Sequence, residues 1–140
     1  MVQLIVGKKG KGKTKQLLDK VNSEVQSVSG NIVYLDKSTK HMYELNNKVR
    51  LINVNDFLID NCDEFLGFIC GVISQDHDLE EMYLDSFLTI ASIDSDELLN
   101  HAIQKLDVIS EKYNVKFILS VSKDESKLTD VAKAKVVISL

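Results

Sequence analysis

Two kinds of apolar pattern alternate along this chain. Short continuous runs recur at Val2–Val6, Asn31–Asp36, residues 82–85 (MYLD), Lys116–Val121 and residues 135–139 (KVVIS). Rich in β-branched and aromatic residues, they read as strands. Residues 49–54 read as a further short strand. Between the runs, apolar residues return every three or four positions. Residues 14–26 place Leu17, Leu18, Val21 and Val25 on one helical face. Leu58, Cys62, Phe65, Leu66, Ile69, Cys70 and Ile73 form a second stripe, with Asn55 as its expected N-cap. Leu98, Ala102, Ile103, Leu106, Ile109 and Tyr113 form a third, opened by an Asp94–Glu97 capping box. Residues 124–134 predict a last short helix.

Strand interiors that are apolar on both faces, alternating with helices, predict an α/β three-layer sandwich around a mainly parallel five-stranded sheet. No proline, Gly/Ser linker or repeat interrupts the 140 residues, so residues 1–140 read as one domain. Ligands of such sheets bind outside the carboxyl ends of the strands. The polar residues at those ends are 7–14, Asp36, Asp85, Ser120 and Ser122.

Charge narrows the ligand. The net charge of −4 argues against a general nucleic-acid binder, which needs a broad basic face. The opening apolar run is too short for a secretory h-region. The longest one, residues 65–73, is about half a membrane span. The expected location is the cytoplasm, with no membrane partner. Cys62 and Cys70, about 12 Å apart along a helix at 1.5 Å per residue, read as buried free thiols. The acidic stretch 76–81 reads as a solvated loop, Arg50 as a surface residue, and His41 and His101 have no partners in sequence.

Against that acidic balance, residues 7–14 (GKKGKGKT) concentrate four lysines. Strand, glycine-rich turn and helix in succession are what a phosphate chain requires. Gly7, Gly10 and Gly12 let the backbone approach closely, the loop N–H groups form an anion nest, and the helix adds its positive end. Lys13 and Thr14 supply an ammonium and a hydroxyl at the helix start. Lys8, Lys9 and Lys11 read as solvated or as anion-steering.

The stretch matches G-x-x-x-x-G-K-[ST] at every fixed position, and here the chain resembles the P-loop NTPases. The resemblance implies ATP and Mg²⁺ as ligands, with residues 7–14 around the phosphates. It gives Lys13 the β- and γ-phosphates, and gives Thr14 and Asp85 the metal. Read alone, Asp85 is equally a strand-end carboxylate closing a turn. The helix and strand after Asp85 resemble the additional-strand, RecA-like branch, which implies the sheet order 5-1-4-3-2. In that branch Ser120 or Ser122, ending strand 4, would be a sensor. Asp36, ending strand 2, would orient the attacking water, or is simply a turn residue.

Departures from the family pattern shape the functional expectation. Ser86 stands where many members carry a catalytic Glu, and a single arginine, Arg50, argues against a nucleoside-phosphate kinase. GTPase motifs are absent, which favours ATP. The expectation is a small ATP-binding protein with slow or partner-dependent hydrolysis, in which residues 37–48 move and a protein partner or a homo-oligomer provides the output. A small-molecule phosphotransferase and a non-catalytic nucleotide-binding module are the other classes the residues admit.

Overall fold

A computed structural model describes all 140 residues. Six strands, β1 (Val2–Val6), β2 (Asn31–Asp36), β3 (Val49–Asn53), β4 (Leu79–Leu84), β5 (Lys116–Val121) and β6 (Val136–Ser139), form one sheet. Its order is β3-β2-β4-β5-β1-β6 and every pairing is parallel. The expected five-stranded order 5-1-4-3-2 is thus corrected to a six-stranded one, in which β3 is added and the other five strands keep that sequence. Val49–Asn53 pairs with β2 from Ile32↔Val49 to Asp36↔Asn53 and adds a sixth strand at that edge.

The helices are α1 (Lys13–Glu24), α2 (Cys62–Ser74), α3 (Phe87–Ile90), α4 (Asp96–Tyr113) and α5 (Asp130–Lys133). Strand alternation sends buried side chains to two cores. Leu4, Val6, Leu35, Met82, Leu84, Phe117 and Leu119 meet α2 to α5 on one face. Ile5, Ile32, Tyr34, Tyr83 and Ile118 meet Leu17, Leu18 and Val21 of α1 on the other. The thin second layer leaves α1, and the loop that starts it, as the only helix over the middle of that face.

Local signals explain where the helix expectations shift. Asn55 does not cap α2; its side-chain amide donates to the Lys37 carbonyl at 2.7 Å. Asn61 takes the cap, accepting from Glu64 N at 2.9 Å, while Glu64 accepts from Asp60 N. A 3₁₀ turn, Val54–Phe57, fills the gap. Leu58 therefore lies outside the stripe, left-handed at φ 56° and exposed. Cys62 is buried and Cys70 half-buried, both free. In α4 the cap is Ser95, accepting from Leu98 N, one residue beyond the expected Asp94. Residues 124–134 divide into a 3₁₀ turn and the short α5. No helix is long and apolar enough to cross a membrane.

The acidic stretch before β4 is not wholly solvated. Asp76 is buried and accepts from Asn31 Nδ2 at 2.9 Å and from Arg50 at 3.2 Å. Glu81 is buried and accepts from Tyr83 OH at 2.7 Å. Beside them the chain pinches at Gly30, where a Cβ would collide with the Asp78 carbonyl and the Glu80 side chain. Because one obstacle is backbone, relief requires moving the start of β2 or β4. Gly30→Ala is expected to cost about 1–3 kcal/mol, the usual range for overpacking. It should appear as a Tm several degrees lower, and an unchanged Tm would show that the pinch is slack.

Candidate functional site

The loop after β1 has the backbone that only glycine adopts freely. Gly10 and Gly12 have φ of 86° and 94°. At Gly7 a Cβ would stand 3.1 Å from the Leu140 side chain and carbonyl. Gly12 is the N-cap of α1, so no side chain caps the first turn, and no acidic residue lies in that turn. Its N–H groups and the positive end of the helix dipole are thus left for a ligand. The Lys13 side chain folds back along the loop, and its ammonium donates to the Lys8 carbonyl at 3.0 Å. Burial pushes the Lys13 pKa down; the nearby Asp85 carboxylate opposes that shift. Lys8, Lys9 and Lys11 are exposed.

Asp85 lies one residue beyond β4 and is 2 % exposed. Its Oδ1 accepts from Ser120 Oγ at 2.6 Å, Ser86 N at 2.9 Å and Thr14 Oγ1 at 3.3 Å. Its Oδ2 accepts from Tyr34 OH at 2.8 Å. Burial and the Asp85 charge hold the Tyr34 proton on far above the usual tyrosine range. Ser86 adopts φ 52°, a left-handed turn that a serine occupies at some cost and that points its N–H at Asp85 and Ser120.

Asp36 closes β2 at 3 % exposure. Its Oδ1 accepts from Lys37 N at 2.7 Å, whereas Oδ2 is buried with no hydrogen-bond partner. Burial raises its pKa above 3.8; the Asp85 charge adds to the rise, while the Lys37 N–H, His41 and Lys37 oppose it.

These groups share one cavity of about 540 Å³ at the carboxyl end of the sheet. Lys9, Gly10, Gly12, Lys13 and Thr14 line one bank; Asp36, Lys37, Ser38, Lys40 and His41 line the other; Asp85, Ser86, Thr89, Ser120 and Ser122 lie between. Strands β5 and β4 separate the β1 and β2 ends, three spacings of about 4.8 Å or about 14 Å. Of the sequence candidates, Gly7, Lys8 and Lys11 belong to the loop but not to this wall. Arg50 lies elsewhere, paired with Asp76.

Two roles change. Ser120 is 1 % exposed, donates a hydrogen bond to Asp85 and accepts one from Ser86 N at 2.8 Å, so its hydroxyl holds the carboxylate. Ser122 is the exposed serine of the pair. Tyr34 was missed from sequence, because it reads as one more buried aromatic within β2. Residues 37–48 are tethered: Asn22 donates to Glu44 O and accepts from Asn46 N, both at 2.8 Å. No protein-family model matches the chain, and no curated protein matches it.

Ser120→Ala removes one donor from the buried Asp85 carboxylate and leaves the Ser86 N–H with Asp85 Oδ1 alone. The expected loss is about 1–3 kcal/mol, measured by denaturant unfolding; a loss within error would mean that the Ser120–Asp85 hydrogen bond is dispensable to the fold. Asp36 gives a pH-dependent expectation. A folded pKa above the unfolded one means that ionisation opposes folding. The stabilisation is complete below the ordinary carboxylate value and is lost as pH rises through the raised one. Asp36→Asn should therefore melt above the wild type at neutral pH, and the gap should close toward about pH 4. A gap that stays constant with pH contradicts this.

Proposed function

We propose that the chain binds a nucleoside triphosphate with Mg²⁺, ATP being the expected nucleotide, and hydrolyses it slowly or only with a partner. The observation that carries this reading is the convergence of an uncapped glycine loop, Lys13, Thr14 and the buried Asp85 on one polar cavity. Backbone N–H groups of the loop would cradle the phosphates, and the Lys13 ammonium, now turned on the Lys8 carbonyl, would exchange that contact for phosphate oxygens.

A hydroxyl and a carboxylate already within 3.3 Å of one another suit Mg²⁺. That ion takes few protein ligands and completes its shell with water and substrate phosphates. No cluster of three or more His, Cys, Asp or Glu side chains offers a separate protein cage. Thr14 and Asp85 would hold the ion, which supplies neutralisation of the phosphate oxygens. Asp36 Oδ2 has the free valence to accept the proton of an attacking water, and its raised pKa makes it a stronger base than an ordinary aspartate. Slow turnover follows from Ser86, which offers no carboxylate beside Asp85.

Lys37, Ser38, Lys40 and His41 on the far bank favour a second reading, phosphoryl transfer to a small acceptor, which label transfer from ATP distinguishes from phosphate release. A nucleotide at a hundred times its Kd stabilises the folded state by about 2.7 kcal/mol. With Mg²⁺ and ATP the wild type should therefore melt several degrees higher, and Lys13→Ala should abolish the shift. An equal shift in both proteins, or none in either, would contradict the reading.

A further inference from the structure

The cavity is unusual in what it lacks. Small-molecule pockets are walled mainly by apolar and aromatic side chains, with a few polar groups that fix orientation. No hydrophobic side chain lines this one. Tyr34, Tyr83 and Phe87 are fully buried in the core, and the exposed Tyr43 and Phe57 lie outside the wall. His41 is the one ring on the wall. It sits on the β2 bank, with Nδ1 3.4 Å from Glu44 Oε1.

What the wall offers is cationic charge and backbone amide. Ammonium groups are compact point charges with rotatable donors, suited to phosphate oxygens and blind to the shape of a base. Strong discrimination between ligands requires buried polar groups matched to the ligand's own, which are left unpaired by the wrong one. The wall has two carboxylates that could accept from a base amine. Asp85, already supported by protein donors, is the carboxylate assigned to the ion, and Asp36 retains one free oxygen.

Resting on the nucleotide reading above, we infer that this site recognises the condensed phosphate chain of its ligand and not the base. Its ligand class is nucleoside triphosphates without base preference, with inorganic tripolyphosphate as the minimal member. Lys9 and Lys13 hold the chain from the loop side, and Lys37 and Lys40 supply further charge across the cavity.

Isothermal titration calorimetry tests this, with Mg²⁺ and in turn ATP, GTP, CTP, UTP and tripolyphosphate, on the wild type and on His41→Ala. The five dissociation constants are expected to agree within about threefold in both proteins, a spread smaller than one specific contact gives. A preference for ATP of about tenfold or more, equivalent to 1.4 kcal/mol, overturns the inference while leaving the nucleotide reading in place. If that preference disappears in His41→Ala, the ring reads the base. Preference for ATP and CTP over GTP and UTP overturns it too, and assigns the adenine 6-amino or cytosine 4-amino group to Asp36 Oδ2. Binding of none of the five removes both readings together.

Discussion

A carboxylate buried at the end of a central strand must be surrounded by donors, because an unpaired buried charge is among the costliest features a fold can carry. Asp85 meets that demand with one donor each from α1, β2, β5 and its own turn: Thr14, Tyr34, Ser120 and Ser86 N. This knot links the glycine loop to the far side of the sheet. It fixes the start of α1 against β4, explains why Tyr34 is buried in the thin layer stacked on Tyr83, and forces Ser86 into a left-handed turn. The knot is also selective. It occupies both Asp85 oxygens and leaves the equally buried Asp36 with one oxygen free, so two strand-end aspartates acquire different chemical capacities from their neighbours.

The parallel α/β class was legible because periodicity carries it: apolar runs at β1, β2 and β5 and the stripe of α1 map closely onto the structure. The sixth strand was legible as a segment but not as a sheet member. Residues 49–53 are short and half-buried, and only pairing with β2 commits them to the edge. Caps were misplaced by one residue at α4 and by six at α2, where several Asn and Asp residues compete and tertiary contacts decide. Asn55 was drawn away by the Lys37 carbonyl.

The candidate residues were legible by position, since strand ends collect ligand-facing groups. Their roles were not, because a role depends on which hydroxyl faces which oxygen. Nothing in the run Lys116–Val121 showed that the Ser120 hydroxyl would face Asp85. Asp76 looked solvent-bound but is buried, paired near the opposite end of the sheet with Arg50, which is exposed as expected. The all-polar wall could not be read at all, as it is a property of four separated segments brought together.

Amide chemical shifts of the ¹⁵N-labelled protein, titrated with Mg²⁺ and ATP, report where the ligand sits. The largest changes are expected at Gly10, Lys11, Gly12, Lys13 and Thr14, with smaller ones at Asp85 and Ser86, and none at Gly30, Asn31 or His77 at the opposite end of the strands. Changes centred away from the glycine loop, or a spectrum indifferent to nucleotide, would contradict that placement of the ligand.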